Sequence, residues 1–176
     1  MKSTLMTIVS VPLVLAACAS HKPAPTATMT ETRGCCMVAM PAGESSAVSP
    51  AIADALRAAL EDERRSEAFY TAVMEVHGQV RPFSNIVRAE RQHQSVVVAL
   101  MERHGVPVPQ AGALDIPDVA STLRECKRAA AQAERDNIAL YDTLIPTIKE
   151  PDIRQAFLGL QAASRDHHLP AFERGL

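Results

Sequence analysis

Tryptophan is absent from the 176-residue chain, aromatic residues make up 3% of it, and glycine is scarce at 7. A β-sandwich or barrel would want aromatic and β-branched residues, so this composition argues against both. An excess of either charge is also missing. The formal net charge is −2, which gives no basic footprint for nucleic acid and no attraction to an anionic membrane surface. Long hydrophobic runs are missing as well. The apolar stretch Thr4 to Leu15 is about a dozen residues, too short to span a bilayer. What is present is a hydrophobic fraction of 47%, much of it alanine and leucine. That favours an all-helical domain.

The first residues read as a targeting segment. Lys2 supplies a short basic start, and the apolar run ends in Leu15-Ala16-Ala17-Cys18. This resembles a bacterial lipobox, in which cleavage makes Cys18 the new N-terminus and its thiol the point of lipid attachment. An ordinary secretory signal cut near Ala17 is the alternative. The expectation is a lipoprotein signal peptide over 1–17 and a mature protein tethered in the periplasm by lipid on Cys18. Ala19, rather than aspartate, follows Cys18, which by resemblance to bacterial sorting patterns directs it to the outer membrane.

Residues 18–48 carry many Pro, Ser, Thr and Gly and no apolar period, as a flexible tether does. Within them lies Cys35-Cys36-Met37-Val38-Ala39-Met40. Two thiols and two thioethers are soft donors suited to Cu(I). Disulfides to another protein or to Cys126, or thiols without a role, are the alternatives.

From 49 to 176 the spacing predicts a four-helix bundle. Helix one opens at Ser49-Pro50, a cap residue followed by proline at the first helical position, and ends at His77-Gly78. Helix two opens at Pro82 and ends at His104-Gly105. His77 and His104 are thereby read as helix-end residues rather than ligands. Helix three is expected from Pro117-Asp118 to Pro146, and helix four from Pro151 to Phe172, with Pro170 kinking its last turn. The links run short, long, short. One long crossover between helices two and three is the ferritin-like connectivity; an up-down-up-down bundle with a wandering middle loop is the alternative.

Helix two carries the least ordinary stripe. Phe83, Ile86, Glu90, His93, Val97 and Leu100 fall at steps of three and four, on one helical face. Burying a carboxylate and an imidazole without partners costs several kcal/mol. Glu-x-x-His on one face is the spacing with which bundle helices hold metal ions.

The two halves of the domain repeat each other. Glu63 is followed seven residues later by Tyr70, and Glu134 seven later by Tyr141. Phe83-x-x-Ile86-x-x-Ala89-Glu90-x-x-His93 is matched by Phe157-x-x-Leu160-x-x-Ala163-Ser164-x-x-His167. Only Glu90 against Ser164 breaks the match. Packed about a pseudo-two-fold axis, Glu63, Glu90, Glu134 and two histidines would converge at mid-bundle. Three carboxylates there need cations, or one stays protonated. Carboxylate oxygen with imidazole nitrogen suits iron, manganese or zinc. Tyr70 and Tyr141 would sit one to two turns away, as hydrogen-bond partners of ligand carboxylates or as redox-active phenols.

These residues carry a family resemblance. From about 50 to 174 the chain resembles the ferritin-like superfamily and, within it, the bacterial and archaeal ferritin-like domains of unknown function, DUF2202. The resemblance rests on the segment from Glu63 to Tyr70, on Phe83 to His93, on Glu134-x-Asp136-x-Ile138, and on Ser164-Arg-Asp-His167-His168-Leu169-Pro170-Ala171-Phe172. It implies a carboxylate-bridged di-metal centre of iron or manganese, with oxidase, peroxidase or iron-handling chemistry. The family label brings no activity of its own. Ser164 stands where a symmetric site would have glutamate, so any centre is asymmetric and keeps an open position. The internal repeat selects His167 as the last ligand; the closing His-Leu-Pro-Ala-Phe pattern selects His168, which is i+4 from Ser164 and is preferred.

Two functional classes follow. One is a metal-binding, redox-active bundle tethered by lipid. The other is a non-enzymatic envelope protein whose metal-free polar core fixes helix register. Oligomeric state, metal identity and substrate are not legible.

Overall fold

The computed structural model describes residues 48–176. It is an all-α bundle with no strand among the described residues. α1 spans Pro50–His77, α2 Phe83–Arg103 and α3 Leu123–Leu144. A short 3₁₀ turn, Ile145–Thr147, follows α3. α4, Pro151–Ala163, runs through one π-helical turn, Ser164–His168, into α5, Leu169–Glu173. The last three pieces form the fourth rod. No described helix is long and apolar enough to cross a membrane.

The helix ends follow local chemistry. The Ser49 hydroxyl accepts from the Ile52 N–H at 3.3 Å with Pro50 just inside, so two otherwise idle donors of the first turn are accounted for. Gly78 closes α1 at φ +81°, a backbone state that a side chain would strain, and its N–H bonds the Met74 carbonyl. Gly105, at φ +66°, follows α2 in the same way. α3 begins five residues later than Pro117-Asp118 foretold. Thr122 caps it, accepting from the Glu125 N–H at 3.3 Å while its hydroxyl donates to the Glu125 carboxylate at 2.6 Å. A Thr-x-x-Glu pair caps more strongly than Pro-Asp, because it fixes both ends of the first turn.

Side-chain pairs give the helix directions. Glu63 meets His93 and Glu67 meets Arg91, so α1 and α2 are antiparallel. Tyr70 meets Glu134 and Glu63 meets Tyr141, so α1 and α3 are antiparallel too. The fourth rod packs antiparallel to α2, through His104 and Asp152, and to α3, through Gln161 and Asp142. The segment after α2 lies against α1, where Arg64 donates to the Pro109 carbonyl at 2.9 Å.

Two apolar clusters fill the interior. One gathers Leu56, Leu60, Val97, Met101, Tyr141, Ile153 and Phe157. The other gathers Phe69, Tyr70, Val73, Phe83, Cys126, Ala130 and Phe172, with four of its rings 5.0–5.8 Å apart. Each buried Phe is worth about 3–5 kcal/mol against truncation to Ala. Between the clusters lies a layer of buried Glu63, Glu90, His93, Glu134 and His168.

Candidate metal centre

The inward residues of this layer come from all four rods of the bundle. Glu63 is on α1, Glu90 and His93 are one turn apart on α2, Glu134 is on α3, and His168 closes the π turn of the fourth rod. The groups form two triads. Glu63, Glu90 and His93 offer ligand atoms within 4.8 Å of one another, and so do Glu90, Glu134 and His168. Glu90 belongs to both, one oxygen to each. Its Oε2 lies 3.3 Å from His93 Nδ1 and its Oε1 lies 3.1 Å from His168 Nδ1. The outer carboxylates complete the pattern, with Glu63 Oε2 at 3.0 Å from His93 Nδ1 and Glu134 Oε2 at 3.5 Å from His168 Nδ1. The two imidazoles stack at 5.4 Å.

The tyrosines cross the site. Tyr70, on α1, donates to Glu134 Oε1 at 2.6 Å; Tyr141, on α3, donates to Glu63 Oε1 at 2.7 Å. Each phenol thus orients the carboxylate of the opposite half. Burial, with Glu134 beside Tyr70 and Glu63 beside Tyr141, pushes both phenols well above their ordinary range, so they remain neutral donors.

The other titrations follow from crowding. Burial holds Glu63 above the usual carboxylate range, reinforced by Glu90 nearby. Burial would raise Glu90 as well, but His168 and His93 outweigh it and hold Glu90 low. Burial would lower both imidazoles. For His93, Glu63 and Glu90 overcome it and push the ring to about 10; for His168, Glu134 and Glu90 push it to about 9. The surrounding carboxylates thus favour the protonated form of both imidazoles.

The donor set fits a divalent ion on one further observation. Glu90 Oε1 and His168 Nδ1 are buried 3.1 Å apart, within ion-pair range, yet neither makes a hydrogen bond of good geometry. Buried polar atoms are nearly always satisfied, and two that converge without bonding mark a position where a cation satisfies both. Oxygen and imidazole donors without thiolate suit iron, manganese or zinc.

His167 is exposed and outside both triads, so the internal repeat misplaces the inward histidine, which is His168. The cause is the π turn. The Leu169 N–H bonds the Ser164 carbonyl, five residues back, which inserts one extra residue and carries His168 into the phase that His167 would have held. Pro170, just beyond, cannot donate an N–H and crowds the preceding turn, which favours such a bulge. Ser164 is buried beside the layer. His77 and His104 stand outside the triads, bonding the Ala120 carbonyl and Asp152 respectively. Cys18, Cys35, Cys36, Met37 and Met40 lie outside the described residues.

Sequence reasoning missed Asp62 and the role of Asn137. Asn137 Nδ2 donates to Asp62 Oδ2 at 2.7 Å, and burial pushes Asp62 up to about 6. Asp62 falls one position off the inward stripe, so helical phase alone gave no signal. Asn137 lies on the inward stripe of α3 between Glu134 and Tyr141, a polar residue in a core phase, and that was the available clue.

The fold and site together define a helical bundle with buried Glu/His groups able to hold metal. No protein-family model matches the chain, and no curated protein matches it. Among solved structures it is similar to a hypothetical protein, MJ0754, from Methanococcus jannaschii DSM 2661. That likeness has 21% identity and a TM-score of 0.65, over 72% of this chain and 80% of the other. A conserved hypothetical protein, rv2844, from Mycobacterium tuberculosis is similar at 20% identity and TM-score 0.65, over 73% of this chain and 99% of the other. Both likenesses speak to the fold alone.

Proposed function

We propose that the protein is a ferritin-like, DUF2202-type bundle, tethered by lipid on Cys18 in the periplasm, that binds one or two divalent ions, iron or manganese, at the Glu/His layer. The observation that carries this reading is Glu90, a buried carboxylate shared between two triads with one of its oxygens outside any hydrogen bond. Glu63 and His93 would complete one position, Glu134 and His168 the other. The helix directions support a ferritin-like crossover, since α2 and α3 are both antiparallel to α1. Bound metal would supply Lewis acidity and one-electron chemistry there. The chain's own groups would hold neutral imidazole nitrogens and carboxylates in place, orient Glu63 and Glu134 through the crossed phenols, and exclude bulk water with the two apolar clusters. Ser164, too short to reach as a glutamate would, would leave a coordination position of such an ion to water or another small oxygen-bearing ligand.

Elemental analysis after mild purification tests the reading. We expect at least one equivalent of metal per chain in the wild type and little in the Glu90→Ala/His93→Ala double variant. Substoichiometric metal in both would defeat it. Oxygen- or peroxide-dependent absorbance changes then separate an enzyme from a static binder.

A second reading has its own observation. The Tyr70–Glu134, Tyr141–Glu63 and His93–Glu63 bonds satisfy much of the layer from within. A metal-free polar core that fixes helix register would use these same bonds, in an envelope protein that catalyses nothing.

A further inference from the structure

A cavity of about 500 Å³ opens between α1, α3 and the segment joining α2 to α3. Its wall includes Asp62, Arg65, Ser66, Asp115, Ala133 and Asp136. The triads do not line it, yet its inner side backs onto them along two chains of contacts. Asp62 accepts from Asn137 Nδ2 at 2.7 Å, and Asn137 stands one turn from both Glu134 and Tyr141 on the inward stripe of α3. Ser66, also in the wall, is buried one turn before Tyr70 on α1, and the Tyr70 hydroxyl donates to Glu134.

Two features give the cavity a ligand class. Three carboxylates, Asp62, Asp115 and Asp136, face one guanidinium, and Arg65 is itself shared between Asp62 and Glu61 at 3.3 Å each. Independently, Asn137 Oδ1, on a residue 3% exposed, has no hydrogen-bond partner. Asn137 is tied to the wall residue Asp62 through its Nδ2, so its unpaired carbonyl oxygen is an acceptor beside the acidic wall that a cation could use and an anion could not.

We propose that this cavity is the port through which divalent metal reaches the Glu/His layer, with Asp62 and Asn137 passing the ion inward. The proposal rests on the metal-binding reading above. Acidic clefts focus cations and speed their capture without changing the final affinity of the site beyond. The port residues should therefore govern the rate of loading and not its end point.

Stopped-flow loading of the metal-free full-length protein with Co²⁺ or Mn²⁺, followed by a competing chelating dye, provides the test. Asp62→Asn combined with Asp136→Asn should slow loading about 10-fold and flatten its dependence on ionic strength, with the final metal content unchanged. Ala133→Phe, which fills the cavity without touching charge, should slow loading as well. Asp54→Asn, an exposed carboxylate paired with Arg57 elsewhere on α1, should leave the rate as it is. Unchanged loading in both the charge and the plug variants would overturn the port. Equal falls in rate and final content would overturn it too, by making Asp62 or Asp136 a ligand. A wild type that takes up no metal would defeat the underlying metal reading, a failure visible before any variant is compared.

Discussion

Glu90 has one histidine on each oxygen, and each histidine has a second carboxylate behind it. A bound ion and a proton would therefore compete for the same imidazole nitrogens. Both rings sit above their ordinary value of 6.5, at about 10 for His93 and about 9 for His168. A raised imidazole pKa stabilises the metal-free fold fully below about 6.5, and that contribution is lost as pH rises through 9 to 10. Metal must displace these protons, so its affinity climbs over the same window. The rise in melting temperature caused by Mn²⁺ should thus be larger at about pH 8.5 than at about pH 6. Calorimetry at both values checks this, and a larger rise at the lower pH would contradict it. The crossed phenols supply a second prediction at this scale. Tyr70→Phe and Tyr141→Phe should each weaken metal binding about 10–100-fold, as loss of a ligand-orienting partner does, with the helical signal unchanged. An equilibrium competition titration reads the affinity; wild-type values in both variants would remove the phenols from the account.

Among the elements, the fourth rod departs most from what its sequence foretold. Phe157, Leu160 and Ser164 keep the phase of Phe83, Ile86 and Glu90, and then the π turn adds a residue. Nothing in residue type between Arg165 and His167 announces that insertion, so the repeat pointed to His167. Only the downstream Pro170 and the closing pattern favoured His168. Deleting Asp166 should close the bulge into plain α-helix, leave His168 facing inward, and preserve metal content, whereas His168→Ala should empty its triad. Metal loss on the deletion, measured per chain by elemental analysis, would show that the bulge does more than set phase. The start of α3 was misread for a different reason. Pro117-Asp118 has the form of a helix opening, but Ile116, Val119 and Ala120 pack on the Phe69–Phe83 cluster and hold that stretch out of the helix. Thr122 and Glu125 carried the stronger capping signal. By contrast, α1 was legible end to end, because Ser49-Pro50 and His77-Gly78 act locally and its inward phase runs unbroken from Ile52 to Met74. Asp62 was not legible, since its importance comes from Asn137 across the helix interface.

For the whole molecule, the duplicated halves build a layer that is nearly two-fold symmetric in its glutamates, histidines and tyrosines and asymmetric at Glu90 against Ser164. That asymmetry was legible from the repeat. The pairing of each tyrosine with the opposite half required the packed helices. The proposed lipid tether, which rests on the sequence before residue 48, has its own test: Cys18→Ala should move the protein from the membrane to the soluble fraction, and unchanged fractionation would reject the lipid anchor. The central claim concerns Glu90 as the carboxylate common to two metal positions. A Co²⁺ titration of the metal-free protein, followed by its visible absorption, counts those positions directly. The account predicts that Glu134→Ala retains the position built from Glu63, Glu90 and His93, while Glu90→Ala loses both. A Glu90→Ala protein that binds as much Co²⁺ as the wild type would contradict it.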